Sequence, residues 1–271
     1  MRRLLAIVAA LLTGTSLHAD EDFLVYHSDR EGVLSQITAH TPGGQQLDLS
    51  SMDSLVEFKT LLKDPTKNGL PGPTDQAFLE SFSDTILHTA SAFGAIYLGE
   101  LRGGNAAKVY IATPAPNERL RNALPAKLEA LGQEFEIRGI RGEQENFYQN
   151  YLLPSPFDLE VQDNLVIVGA LVAHGDKVKA TRGIQHFSFF KNREDAEAFV
   201  EEISPYGYEQ FSIAETEGPA GDYMVHFFHY GSIDVWELSE RTLGLKMAAS
   251  LFAGEYDGWE ALVVTHAEDD F

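Results

Sequence analysis

Apolar positions recur along the chain with two alternating periods, and their succession outlines two units of similar plan. In the first, Phe23 to Tyr26 reads as a strand with Leu34 to Ala39 as its hairpin partner. From Ser54 to Leu62 the spacing of Leu55, Phe58, Leu61 and Leu62 predicts a helix. The breakers Asn68 to Pro73 separate it from a second helix, expected from about Asp75 to Ala92. Strands at Ala95 to Leu98 and Lys108 to Ile111 are joined through Arg102-Gly-Gly-Asn105, a hairpin signal. Asn117 is placed to cap the next helix, which carries Leu120, Leu124, Leu128 and Leu131 at helical spacing, with a kink or break expected at Pro125. Phe135 to Arg138 alternates as a closing strand.

The segment Gln144 to Pro156 connects to the second unit. A helix is expected from Phe157 to Ala173, with Leu159, Leu165, Val168 and Val172 on its packed face. Gly183 to Phe190 is a strand. Asn192 caps a helix through Ile203 whose stripe is Ala196, Phe199, Val200 and Ile203. Tyr208 to Ala214 and Tyr223 to His229 form a hairpin around Glu217 to Gly221, followed by a helix from Val235 to Phe252 and a final strand from Trp259 to Val264. From Gly183 onward the order is β-α-β-β-α-β, the split-βαβ or ferredoxin-like plan. The first unit fits it with an extra helix and hairpin. The expected fold class is therefore α+β, with two ferredoxin-like α/β sandwich units in tandem: residues 20–156 and residues 157–271.

Residues 1–19 belong to neither unit. Met1-Arg-Arg3 is a basic start, Leu4 to Leu12 an apolar run, and Thr13 to Ala19 a small-residue stretch ahead of Asp20-Glu-Asp22. That is the layout of a secretory signal peptide, with cleavage after Ser16 or Ala19, and it is too short for a comfortable membrane span. A periplasmic or secreted protein is expected. The chain has no cysteine, which removes disulfides, thiol chemistry and lipid attachment.

Charge narrows the partners. There are 20 basic and 41 acidic residues, a formal net charge of −21. Residues 158–271 carry 22 acidic and 7 basic side chains, against 19 and 11 in residues 20–157, so the shorter second unit is the more negative. Such a surface repels phosphate backbones, which argues against direct nucleic-acid binding through a basic patch. It attracts basic protein segments over roughly 8–10 Å at ordinary salt. A partner with a basic segment is the expected class, and a solvated acidic helix face such as Glu194 to Glu202 accounts for part of the charge.

Signatures of catalysis are weak. The chain lacks a G-x-S-x-G elbow, an H-E-x-x-H pair, a P-loop and a dinucleotide fingerprint. Gly99 to Gly104 is glycine-rich but lies between strands, as a hairpin rather than a phosphate cradle. His226 and His229 are three apart, so a strand sends them to opposite faces. His186 faces away from Phe187 and Phe189 and is expected to be half-exposed. The metal arrangement worth testing joins His186 to His226 or His229 across strands. No cofactor and no catalytic residue is nominated.

Near the C-terminus stands Gly254-Glu-Tyr-Asp-Gly-Trp259, read as a turn feeding the last strand. Its aromatics suit a core-closing turn; they also suit a recognition surface, with Glu255, Tyr256, Asp257 and Trp259 as contact residues. This segment, with Asn164 to Asp176, Arg182, Gln185 to Phe190 and the Tyr206-Gly-Tyr208 turn, resembles the RraB family, regulators of ribonuclease E. The first unit, through Phe147 to Pro154, looks like a domain of unknown function often fused ahead of RraB-like domains. The resemblance implies a non-catalytic ferredoxin-like fold that binds a ribonuclease and lowers its activity, its acidic surface occupying the basic RNA-binding part of the partner. An exported chain would not meet a cytoplasmic ribonuclease, so another basic partner is expected if the signal peptide acts. The alternative is an envelope hydrolase or metal-binding protein using His186, His226 and His229; a structural two-domain protein is a third possibility.

Overall fold

The computed structural model describes residues 22–30, 32–114, 118–132, 134–216 and 222–265. The expected signal peptide, the Asn117 cap, the Glu217 to Gly221 loop and the acidic tail from His266 lie outside the described residues. Contacts divide the chain into two compact units meeting between Leu159 and Glu160. No helix among the described residues is long and apolar enough to cross a membrane.

The first unit is built on a six-stranded antiparallel sheet. Its strands are β1 (Phe23–Arg30), β2 (Val33–His40), β3 (Ser54–Leu61), β4 (Ile96–Gly103), β5 (Ala106–Thr113) and β6 (Phe135–Arg141), in the spatial order β1-β2-β4-β5-β3-β6. Helix α1 (Gln76–Ala92) joins β3 to β4, and α2 (Glu118–Glu129) joins β5 to β6. Read from β3 onward, the four strands stand in the order fourth, first, third, second. That is the ferredoxin-like arrangement, extended at one edge by the β1–β2 hairpin.

The segment expected to be helical at Ser54–Leu61 is strand β3, a central strand paired with both β5 and β6. Leu55 faces one core, while Phe58 and Val56 face the other. A strand covered on both faces carries apolar residues on both, and here the resulting spacing imitates a helical stripe. Asp75 does not cap α1; its carboxylate accepts hydrogen bonds from the backbone N–H groups of Lys63, Asp64 and Gly72 and so fastens the preceding loop. Helix α2 runs through Pro125 without ending there. The β4–β5 hairpin forms as expected, with Gly104 and Asn105 both at positive φ, as a two-residue type I′ turn requires.

Two cores sandwich this sheet. On one face α1 and α2 bury Phe82, Ile86, Leu120, Leu124 and Leu128 against Val109 and Ile111. On the other, Tyr148 and Leu152 from the helical turn at 144–152 pack with Leu49 on Tyr26, Ile37 and Leu98. The Tyr148 hydroxyl donates to the His40 carbonyl at 2.7 Å and the Tyr26 hydroxyl to the Leu152 carbonyl at 3.0 Å, so the closing segment is tied to the sheet at both ends.

Helix α3 (Pro156–Ala173) leads into the second unit. Ser155 and Asp158 cap its start reciprocally, each side chain accepting from the other's backbone N–H. The unit continues with β7 (Arg182–Phe190), α4 (Arg193–Ile203), β8 (Glu209–Glu215), β9 (Tyr223–Gly231), α5 (Val235–Leu251) and β10 (Glu255–Ala261). The sheet order β10-β7-β9-β8 is again fourth, first, third, second. The fold is thus α+β with two ferredoxin-like units. Asn192 accepts from the Asp195 N–H at 2.9 Å, the expected cap of α4. The core gathers Phe190, Phe199, Ile203, Val225, Phe227, Leu245 and Ala249 between the sheet and helices α4 and α5.

Strand β10 begins earlier than its sequence suggests. Glu255 to Gly258, read as a turn, already pairs with β7, and the extra residue is absorbed as a β-bulge between Tyr256 and Gly258. Gly258 sits at φ +140°, a conformation side-chain-bearing residues rarely adopt, so the bulge needs glycine there.

Candidate functional site

The pleat and bulge of β10 give its residues opposite duties. Tyr256 and Trp259 point into the core and are 6% and 7% exposed, whereas Glu255, Asp257 and Glu260 face solvent along an edge of the sheet. Of the four residues expected to make a recognition surface, the two carboxylates are available for contact. The two aromatics are not, because their rings fill the layer between sheet and helices.

Each inward ring anchors a different polar group. The Trp259 indole N–H donates to Asn164 Oδ1 at 2.7 Å, and the Asn164 amide donates to Ser239 Oγ and Thr242 Oγ1 of α5 at 3.0 and 2.9 Å. One turn earlier on α3, buried Glu160 pairs with Lys246 of α5 at 2.6 Å. This network clamps α3, α5 and β10 together, and each buried polar atom it contains has its partner, the condition under which such groups specify a packing rather than weaken it. Sequence reasoning placed Asn164 only as part of a resemblance. The physical signal was present only in part: Asn164 opens the apolar run Leu165 to Val168, and on the packed face of the helix it must find hydrogen bonds.

Tyr256 anchors the other group. Its hydroxyl lies 2.7 Å from His186 Nδ1, and His186 Nε2 lies 2.7 Å from His229 Nδ1. With both rings neutral, the direction of one bond fixes the other: either the Tyr256 hydroxyl donates to His186 Nδ1 and His186 Nε2–H donates to His229 Nδ1, or His229 Nδ1–H donates to His186 Nε2 and His186 Nδ1–H donates to the Tyr256 oxygen. The rings stack, His186 on His229 at 4.9 Å and on Phe227 at 5.3 Å, with Tyr208 edge-on. Burial, reinforced by His229, Arg241 and His226, pushes the pKa of His186 down to about 3. Burial and then Arg241 lower His229 to about 4. Burial also raises the Tyr256 hydroxyl well above its ordinary range.

His186 is therefore fully buried, not half-exposed, because its strand neighbours on the core face are Ile184, Ser188 and Phe190 under two helices. The expected cross-strand meeting occurs with His229 and not with His226. His226 lies on the opposite face of the sheet, stacked on Phe187 at 4.9 Å and bonded to Gln185 at 2.9 Å. Among the described residues no group of three or more His, Asp or Glu side chains could hold a metal ion. Three of the pair's four ring nitrogens, both of His186 and Nδ1 of His229, are engaged by each other and by Tyr256, the arrangement of a structural element of the core.

A third feature had no counterpart in the sequence reading. Between α4 and α5 runs a groove of about 490 Å³, lined by Ile203, Tyr206, Gly244, Met247, Ala248 and Leu251. Tyr208 and Arg241 also line it, the guanidinium 5.9 Å from the centre of the Tyr208 ring. Glu202 and Glu240 stand at its rim.

Comparison with known proteins divides the chain where its folding does. The family model described as "Regulator of ribonuclease activity B" (RraB) matches residues 162–261. The model described as a family of unknown function (DUF695) matches residues 21–153. No curated protein is detectably similar to the chain. One solved structure, described as a glycine cleavage system transcriptional repressor, is similar at 10% identity. It covers 77% of this chain and 98% of its own, with a TM-score of 0.21, too low to support the fold assignment, which rests on the strand orders.

Proposed function

We propose that this chain, in which an RraB-family domain (residues 162–261) follows a DUF695-family domain (residues 21–153), is a non-catalytic regulator that acts by binding a protein partner. The observation that carries the proposal is the division of labour on β10: the residues that mark the family hold the core, and the carboxylates between them are presented on a sheet edge. Glu255, Asp257 and Glu260 project from that edge in the more acidic half of the chain. They suit a partner with a Lys- or Arg-rich segment, and occupying such a segment would withhold it from anionic substrates such as RNA.

Residues 1–19 support an exported location, in which the partner is an envelope protein and not a cytoplasmic ribonuclease. Fractionating cells that express the tagged full chain, beside a version lacking residues 1–19, decides the compartment. A cytoplasmic full-length protein would restore a ribonuclease as the candidate partner.

Binding is tested by charge reversal. The wild type is expected to capture a basic partner with an affinity that falls at least about tenfold as salt rises from 0.05 to 0.5 M, since the screening length contracts severalfold. The triple variant Glu255→Lys, Asp257→Lys, Glu260→Lys should lose that capture while keeping its far-UV spectrum. Salt-insensitive capture, or capture unaffected by reversal, removes the basis for the acidic-edge mechanism.

A further inference from the structure

The groove between α4 and α5 carries an inference that rests on the protein-binding proposal and names a second contact. Three of its lining side chains, Tyr206, Met247 and Leu251, are 64%, 65% and 75% exposed. Large apolar groups left this open cost solubility and gain nothing for the fold.

Gly244 is the second observation. It lies in the interior of α5, where glycine weakens a helix relative to alanine. Its conformation does not demand glycine, since its φ is not among the positive ones. Packing does not demand it either: a Cβ at this position would meet nothing within 4 Å. What the missing side chain does is keep the groove open along the face of α5 between Glu240 and Met247.

Charge selects the occupant. Glu202 and Glu240 border the groove, and exposed Glu201 and Glu237 stand nearby in the sequence of α4 and α5. Among the described residues lining the groove the one cation is Arg241, which lies over the Tyr208 ring. A second copy of this chain would bring its own large negative charge to the same place, and an anionic membrane surface would be repelled for the same reason.

We infer that the α4–α5 groove is a docking site for an amphipathic helical segment of a protein partner, with aliphatic anchors along one face and Lys or Arg residues flanking them. A groove between two helices accepts a third through anchors at i, i+3, i+4 and i+7. From Glu240 to Leu251 it is about 16 Å long, room for three turns. The partner's anchors would lie over Gly244 and Ala248, between Tyr206 and Met247, and its basic flanks would meet Glu202 and Glu240.

The test uses the full chain and a fluorescently labelled synthetic 14-residue peptide with Leu at i, i+3, i+4 and i+7, Lys on both flanks and Ala elsewhere. Two control peptides are the same composition in scrambled order and a version with Glu replacing each Lys. The ordered Lys peptide is expected to bind, and both controls at least tenfold more weakly by anisotropy. Gly244→Leu has room for its Cβ and extends its side chain into the groove, and should weaken binding at least tenfold while the melting temperature holds or rises. Met247→Glu, at an exposed position, should weaken it similarly. No binding of the ordered peptide, equal binding of the scrambled one, or full affinity in both variants would overturn the proposal. The β10 triple reversal separates the two sites: capture lost there but untouched by Gly244→Leu leaves the acidic-edge function standing and removes the groove.

Discussion

Replacing His186 by glutamine should make the protein less stable at neutral pH and less sensitive to acid. In the wild type the buried ring resists protonation, its pKa lowered from 6.5 to about 3. As pH falls through 6.5 the unfolded chain takes up a proton at this position and the folded chain does not. The stabilisation is therefore complete above the unfolded pKa and drains away as pH falls toward 3. Linkage puts the loss between pH 6.5 and 4.5 at about 2 kcal/mol for this one group. A glutamine amide does not titrate. It reaches only one of the two partners that the ring bridges, Tyr256 and His229, and leaves one buried hydrogen bond unmade, worth about 1–3 kcal/mol. The two stability curves should therefore start apart at pH 7.5 and converge by about 2.5 kcal/mol at pH 4.5. Urea unfolding at each pH measures this, followed by tryptophan fluorescence, because both tryptophans, Trp236 and Trp259, lie in the second unit. Parallel curves from pH 7.5 to 4.5 would refute the assignment of a neutral His186 to the folded state.

Three further substitutions test the framework around β10. Trp259→Phe keeps the ring in the core but leaves Asn164 Oδ1 without its donor, and should cost about 1–3 kcal/mol by urea unfolding. Gly254→Ala drives a Cβ to 2.2 Å from Phe190 Cε1 and 2.9 Å from the Phe189 carbonyl, so a loss of about 1–3 kcal/mol and a lower melting temperature are expected. Arg182→Met strips the partner from buried Asp176, whose side chain is fully inaccessible, and removes the guanidinium bonds to the Lys177 and Leu262 carbonyls. It should cost about 3–5 kcal/mol, read as the largest drop in denaturation midpoint of the three.

Burial in β7 alternates, with Ile184, His186, Ser188 and Phe190 inside and Gln185, Phe187 and Phe189 on the other face. Residue type does not follow it, since His and Ser lie inside and two phenylalanines outside, which is why the sequence predicts a half-exposed His186. A related mismatch explains the failure at β3. Both of its faces are covered, the period of two is lost, and Leu55, Phe58 and Leu61 fall at helical spacing by coincidence; Leu61 proves to be exposed. The candidate site was less legible. Strand alternation put His226 and His229 on opposite faces, but the partner of His186 depends on cross-strand register, which no local pattern contains. The Tyr256–Trp259 segment misled for a related reason: Asp-Gly signals a turn and a bulge alike, and the pairing with β7 decides between them. The groove had no local signal at all, because it forms where two helices separated by 31 residues of chain converge on Tyr208.

The rare residues that identify the second unit are the ones least able to touch a partner. Tyr256 holds His186, Trp259 holds Asn164, and Gly254 makes room for Phe190; each is occupied by the fold itself. A segment with this pattern therefore assures that the ferredoxin-like core closes in this way, and it constrains the partner only through what it leaves outside. On β10 the residues left outside are Glu255, Asp257 and Glu260; across the helix layer, Gly244, Met247 and Leu251. The match of residues 162–261 to the RraB model therefore reports the scaffold, and under the protein-binding proposal the partner is selected at the positions between these marks.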